Sequence, residues 1–159
     1  MATQKGATLF EVIIVSGLAA GLLGVVWLAY PLLSRVALRS AAITLVADLR
    51  LVQARAIAER EPDRRHGIEF RPEASRYLVF IRTGSRTTVV REQRLPARVH
   101  LTHVRFGGSP SSAVFFTGVS LFGAPSGGGT VTLRAGSAHL CVRVMPATGR
   151  VRVSNTGCP

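Results

Sequence analysis

Hydrophobic and polar positions follow three successive patterns along the chain. Residues 12–33 form an uncharged, largely apolar run. As a helix rising about 1.5 Å per residue, this run would be about 33 Å long, enough to cross the hydrocarbon core of a membrane. Between residues 34 and 60, apolar residues recur at steps of three and four, which predicts an amphipathic continuation that packs on the rest of the domain. This stripe consists of Ala42, Leu45, Leu49, Val52 and Ala56.

From residue 61 onward the hydrophobic period changes to two, which is typical of strands. Glu61, Pro62 and Asp63 end the helix. One long helix followed by strands predicts an α+β fold, in which an antiparallel sheet of a C-terminal β-rich head wraps onto the second half of the helix. The predicted strands are Gly67–Phe70, Tyr77–Arg82, Thr87–Arg91, Val99–Arg105, Ala113–Thr117, Gly129–Leu133, His139–Met145 and Arg150–Val153.

Charge is unevenly distributed along the chain. The net charge is +12, from 20 Lys and Arg residues against 8 Asp and Glu residues. No acidic residue follows Glu92, whereas seven arginines do. A surface of one sign suits nucleic acid, anionic lipid or an acidic protein face, and it is equally compatible with solvated arginines that bind nothing. Charge alone leaves these alternatives open.

The two cysteines, Cys141 and Cys158, both lie near the C-terminus. In an oxidising compartment they can pair, and closing a loop of this length would stabilise the fold by roughly 3 kcal/mol in the chain-entropy model. A structural zinc site needs more ligands than two cysteines. We therefore predict a disulfide that holds the C-terminal tail.

Catalytic chemistry requires side chains at motif spacing, and the sequence has none of the common arrangements. It lacks a Gly-x-Ser-x-Gly elbow, a His-Glu-x-x-His zinc motif and the Gly-Lys-Ser/Thr of a phosphate-binding loop. His66, His100, His103 and His139 are scattered, and the step from His100 to His103 within one predicted strand places these two on opposite faces. We expect no enzyme activity, catalytic residue, metal, cofactor or small-molecule substrate.

Glu11 is the only charged residue between Gly6 and Ser34. A charge inside a membrane span is costly and usually has a partner, and without one the carboxylate would take up a proton. If the chain were cut after Gly6, the new amine would lie on Ala7, one helical turn from Glu11. Glu11 is therefore the residue of this segment with a defined chemical role.

The segment Lys5-Gly6-Ala7-Thr8-Leu9-Phe10-Glu11 resembles the N-terminus of type IV prepilins and type II secretion pseudopilins. The resemblance implies cleavage after Gly6 by a prepilin peptidase and N-methylation of Ala7, although that family usually has Phe or Met at this position. It also implies that Glu11 offsets the N-terminal amine of a neighbouring subunit during filament assembly. The alternative is an ordinary signal anchor with an incidental glutamate.

The resemblance also implies where the chain lies: a single pass through the bacterial inner membrane with a periplasmic head, later incorporated into a filament. Arg35 and Arg39, just after the span, would by themselves favour a cytoplasmic C-terminal side. The division that follows is a leader at 1–6, a transmembrane and assembly helix at 7–33, an amphipathic continuation at 34–60 and the head at 61–159.

Four further segments are similar to the GspH/FimT group of minor pseudopilins. They are Gln53-Ala54-Arg55-Ala56-Ile57, Phe115-Phe116-x-Gly118, Gly129-Thr130-Val131-Thr132-Leu133 and Gly149-Arg150-Val151-Arg152-Val153. The similarity implies a type IV pilin-like fold and a minor, structural subunit of a type II secretion pseudopilus or a type IV pilus. The implied partners are other pilins or pseudopilins, the prepilin peptidase and the inner membrane.

Arg150 and Arg152 are the second candidate site. At positions i and i+2 of a strand their guanidinium groups lie on one face, where they suit phosphate oxygens. Arg143 and the predicted disulfide would lie nearby. The Gly-Arg-x-Arg segment resembles the DNA-binding tail of the FimT branch, which implies DNA as a partner in natural transformation. The alternative is a turn followed by solvated strand residues, since aromatic stacking residues are missing near the motif.

Overall fold

The structure, a computed structural model, describes residues 8–108, 111–119 and 123–158. The chain divides into two compact units, residues 1–33 and residues 34–159. A single helix, α1, runs from Leu9 to Glu59 and contributes to both. All residues of the main buried core belong to the second unit, which includes the helix residues from Ser34 onward. From here on, we call this whole unit, residues 34–159, the head, and we expect it to fold without the first unit.

The first unit consists of the N-terminal part of α1. Many of the large apolar side chains described there are exposed, among them Phe10, Leu18, Leu22 and Trp27. Within the described residues, no helix is both long enough and apolar enough to qualify as a membrane span.

In the head, the predicted apolar stripe of α1 is buried. Ala42, Leu45, Leu49, Val52 and Ala56 are each at most 2% exposed. The helix ends one residue earlier than predicted, at Glu59, because Arg60 adopts a left-handed conformation with φ of 50°. A left-handed residue just past the last helical turn is a common helix stop.

Eight strands follow, as predicted, with ends that differ by up to three residues. A short 3-10 helix, Pro72–Ala74, joins the first two. The strands are β1 Arg64–Arg71, β2 Arg76–Thr83, β3 Arg86–Arg94, β4 His100–Phe106, β5 Ala113–Thr117, β6 Gly129–Ala135, β7 Ala138–Val144 and β8 Val151–Ser154.

The head contains two four-stranded antiparallel sheets rather than the single sheet that we predicted. The first sheet has the order β3-β2-β1-β5 and the second has the order β4-β6-β7-β8. The strands divide this way because β5 pairs with the distant β1, and β4 pairs with β6 rather than with its neighbour β5. Pairings between strands that are distant in sequence leave no signal in local hydrophobic periodicity.

Both sheets contribute to one core with α1. Phe70 of the first sheet stacks on Phe106 of the second, with ring centroids 5.7 Å apart. A polar contact joins α1 to the first sheet, because the Tyr77 hydroxyl donates to Asp48 at 2.6 Å and Arg91 forms an ion pair with the same carboxylate. The helix is thereby held in the head by both apolar packing and a buried hydrogen bond.

The prediction that His100 and His103 lie on opposite faces is wrong. A β-bulge lies between Leu101 and His103, so that His100 pairs with Arg134 while His103 pairs with Thr132. A bulge adds one residue to a strand and reverses the alternation beyond it. Both histidines therefore lie on the outer face of the second sheet. Among the described residues, no group of three or more His, Cys, Asp or Glu side chains is placed to hold a metal.

Candidate functional site

The first candidate site is the N-terminal turn of α1. Thr8 precedes the helix, its carbonyl accepts from the backbone N–H of Glu11 at 3.0 Å, and its hydroxyl lies 3.4 Å from the same N–H. The spacing Thr8-x-x-Glu11 is that of a capping box, in which a threonine and a glutamate three residues later satisfy backbone donors at a helix start. We did not recognise this signal in the sequence. The Thr8 half of this arrangement is present, because the Thr8 hydroxyl caps the helix at the backbone N–H of Glu11.

The Glu11 side chain is exposed, and so are the apolar side chains around it. Leu9, Phe10, Ile14 and Val15 are each between 46% and 82% exposed. An apolar surface of this extent, with one carboxylate at its start, is suited to contact with another apolar surface. The predicted cleavage and methylation positions, Gly6 and Ala7, lie outside the described residues.

The second candidate site is the hairpin formed by β7 and β8. Arg143 lies directly opposite Arg152 in the register of the two strands. Arg150 comes directly before β8, and Arg152 lies within β8. Both arginines are exposed, whereas Val151 between them is buried. Because alternate residues of an extended chain share a face, the structure brings Arg143, Arg150 and Arg152 together on the outer face of the second sheet.

The turn of this hairpin is fixed to α1 by a contact that we did not predict. The side-chain amide of Gln53 donates to the carbonyls of Thr148 at 3.1 Å and Gly123 at 3.3 Å. Gly149 has a φ of 64°, and a Cβ there would lie 2.5 Å from the Gln53 amide nitrogen. Glycine is therefore required at position 149 both by the backbone conformation and by the close approach of Gln53.

The C-terminal tail folds over the same outer face. A disulfide joins Cys141 of β7 to Cys158, with Cα atoms 5.8 Å apart. Arg143 donates a hydrogen bond to the carbonyl of Gly157 in this tail. The tail therefore engages one nitrogen of the Arg143 guanidinium, and the contacts among the described residues leave its other donors for a ligand.

The register of the second sheet adds a fourth arginine to this surface. Arg105 of β4 lies opposite Thr130 of β6, and Thr130 in turn lies opposite Arg143 of β7. One straight line across four strands therefore contains Arg105, Thr130, Arg143 and Arg152, which we call the arginine row. Arg105 is one of the seven arginines after Glu92, but local sequence patterns did not place it beside Arg143, because it comes from a strand that is distant along the chain.

Comparisons with solved structures place the fold in a recognised class, the type IV pilin-like fold. No protein-family model matches the chain, and no curated protein matches it. The minor pseudopilin EpsH from the type 2 secretion system of Vibrio cholerae superposes with a TM-score of 0.54 at 14% identity, covering 76% of this chain and 98% of that chain.

The type IV minor pilin FimU of Pseudomonas aeruginosa gives a TM-score of 0.59 at 18% identity in one crystal form, covering 79% of this chain and 94% of that chain. In a second crystal form the TM-score is 0.55 at 17% identity, with 77% and 97% covered. The chain thus has the type IV pilin-like α+β fold, and the predicted fold class and the resemblance to minor pseudopilins are confirmed at the level of the fold.

Proposed function

We propose that this protein is a minor pilin-like structural subunit of a filament, either a type II secretion pseudopilus or a type IV pilus, and that it has no catalytic role. The observation that carries the proposal is the combination of the pilin-like head with an α1 whose N-terminal part exposes apolar side chains around one carboxylate. Burial of that apolar surface against other subunits would stabilise a filament at about 25 cal/mol per Å².

The proposed assembly follows from the N-terminal sequence. Prepilin peptidase cuts after Gly6, and the new amine on Ala7 is methylated. The chain then crosses the inner membrane once, through residues 7–33, with its head in the periplasm. The Glu11 carboxylate offsets the N-terminal amine of a neighbouring subunit, because a buried charge needs a partner of opposite sign. The pairing draws the helix into register with other pilins or pseudopilins.

The test is substitution of Glu11 in the full chain. The wild type and the variants are expressed with a C-terminal tag in a bacterium that makes the filament. Other filament subunits should co-purify with the wild-type chain from detergent-solubilised envelopes. With Glu11→Gln, most of the co-purified filament subunits should be lost, since an amide cannot neutralise the amine. With Glu11→Asp, which keeps the charge, part of the co-purified subunits should be retained.

All variants should remain in the envelope fraction and keep the mobility of the processed chain, which shows that cleavage and insertion do not depend on Glu11. Wild-type levels of co-purified subunits for Glu11→Gln would contradict the assembly role. If even the wild-type chain co-purified with no filament subunit, the proposal that it joins a filament would fail.

A second candidate function is DNA binding by the same subunit, in DNA uptake during natural transformation. It is supported by the exposed arginines of the β7–β8 hairpin, Arg143, Arg150 and Arg152. Guanidinium groups on one face can make bidentate hydrogen bonds to phosphate oxygens. No acidic residue follows Glu92, so the strands of the second sheet carry no carboxylate to repel a phosphate backbone.

DNA binding is tested with the head, residues 34–159, titrated with duplex DNA at several salt concentrations. Wild-type affinity should fall linearly in log salt, and Arg150→Ala/Arg152→Ala should reduce the slope by about 1.8, the equivalent of two phosphate contacts. Arg86→Ala, on the first sheet, is the control and should leave the slope unchanged. If the wild-type head does not bind, this second candidate is excluded and the filament proposal is unaffected.

A further inference from the structure

The arginine row crosses the second sheet at right angles to its strands. Pairing in register puts Arg105, Thr130, Arg143 and Arg152 side by side, one from each strand of the sheet. Neighbouring strands are about 4.8 Å apart, so the Cα atoms at the two ends of the row are about 14 Å apart. All three arginines are exposed.

Two like charges directly opposite each other on neighbouring strands are unfavourable. Arg143 and Arg152 form such a pair. Among the described residues, none of the three arginines forms an ion pair with a carboxylate; the ion pairs of the head instead involve α1 and the first sheet. An anion on the row would therefore relieve a repulsion that no carboxylate among the described residues offsets.

We propose that the arginine row binds the two phosphate backbones of duplex DNA, with Arg105 contacting one strand and the Arg143–Arg152 pair contacting the other. The major groove is about 12 Å wide, which matches the span of the row. The inference rests on the DNA-binding candidate above and extends it from the hairpin to the far edge of the sheet, and from DNA in general to its duplex form.

The composition of the row favours a duplex over a single strand. Single-strand binders stack bases on aromatic side chains, and the row contains arginine and threonine only. The aromatic pair Phe80 and Phe115, covered by Arg82, belongs to the first sheet. The Thr130 hydroxyl lies between the arginines, where it can donate a further hydrogen bond to phosphate or sugar.

The experiment compares four versions of the head, residues 34–159, against a labelled 20-base-pair duplex and its separate single strand at several salt concentrations. These are the wild type, Arg105→Ala, Arg150→Ala/Arg152→Ala and the control Arg86→Ala. Arg105→Ala should reduce the log–log salt slope for the duplex by about 0.9, one phosphate contact, and the control should not. The wild type should bind the duplex more tightly than the single strand.

The outcomes separate this inference from the DNA-binding candidate. In one outcome, the wild type binds the duplex, Arg150→Ala/Arg152→Ala weakens binding and Arg105→Ala does not. The proposal that the arginine row binds DNA is then overturned, and the hairpin alone binds it. Tighter binding of the wild-type head to the single strand than to the duplex also overturns the proposal. If the wild type binds neither nucleic acid, both proposals fail, and row-dependent binding to vesicles of anionic phospholipid would then assign the surface to a membrane.

Because Arg105→Ala removes an exposed side chain, the fold of the head is expected to be unchanged by this substitution. A matched circular dichroism spectrum and unfolding midpoint for all four versions confirm this before the titrations are compared. Arg105→Lys provides a second variant. Lysine keeps the positive charge but lacks the planar guanidinium group of arginine. The variant should therefore retain most of the slope of log affinity against log salt for the duplex.

Discussion

Tyr77 and Asp48 form a polar contact inside an otherwise apolar core. Tyr77 is fully buried, and its hydroxyl donates to the Asp48 carboxylate at 2.6 Å. Arg91, half-exposed at the surface, forms an ion pair with the other carboxylate oxygen. Burial first, and the hydrogen bond to Asp48 second, raise the pKa of Tyr77 well above its usual value.

This raised pKa makes the stability of the head depend on alkaline pH. The unfolded tyrosine ionises near pH 10, whereas the folded one stays neutral at higher pH. The contribution of Tyr77 is therefore fully present below pH 10 and declines as the pH rises above it. Between pH 10 and pH 11, we expect the free energy of unfolding to fall by about 1 kcal/mol.

The test is urea unfolding of the head at pH 8 to 11, for the wild type and for Tyr77→Phe. The head contains a single tyrosine and no lysine, so Tyr77 is the side chain expected to titrate in this range. Tyr77→Phe should be less stable at pH 8 by about 1–3 kcal/mol, because the buried Asp48 loses a donor, and its stability should be flat to pH 11. Equal pH slopes for both proteins would show that Tyr77 already ionises in the folded head.

At the scale of elements, the β7–β8 hairpin and the tail behind it depend on one covalent link. Cys141 is fully buried on the outer face of the second sheet and bonds to Cys158. Ser154 accepts from the backbone N–H of Thr156 at 3.1 Å, which turns the chain back toward β7. The disulfide closes a loop from Cys141 to Cys158 that contains the second half of β7, the hairpin turn and β8.

Removing the disulfide should therefore destabilise the head. We expect Cys141→Ala/Cys158→Ala to lower the free energy of unfolding by roughly 3 kcal/mol, because the unfolded chain regains the entropy of an open loop. Urea unfolding of the variant and of the oxidised and reduced wild type measures the effect. The reduced wild type should resemble the variant. Identical midpoints for the oxidised and reduced wild type would show that the link contributes nothing to stability.

At the scale of the whole molecule, carboxylates and arginines are distributed by sheet. The acidic residues of the head all lie between Asp48 and Glu92: on α1, in the loop after it, on strands of the first sheet, or, for Glu73, in the 3-10 helix that joins β1 to β2. The second sheet, which begins with β4, carries arginines without a carboxylate. The sequence already contains this asymmetry, since acidic residues stop at Glu92, but only the sheet order turns it into a surface.

The helix and the strands could be located from the amino-acid pattern. The period of the apolar residues located α1 and its buried stripe from Ala42 to Ala56, and the change of period at residue 61 located all eight strands. These features follow from local geometry, because a helix repeats every 3.6 residues and a strand every two. The order of helix and strands, together with the N-terminal motif, was sufficient for the pilin-like fold class.

The division of the strands into two sheets, and the side chains that meet on their faces, became known from the three-dimensional fold. The pairing of β4 with β6 placed Arg105 in line with Arg143 and Arg152, and the bulge in β4 moved His103 to the outer face. Gln53 found its acceptors in two loops far along the chain. Such contacts depend on long-range packing and strand register, and local sequence patterns do not specify either.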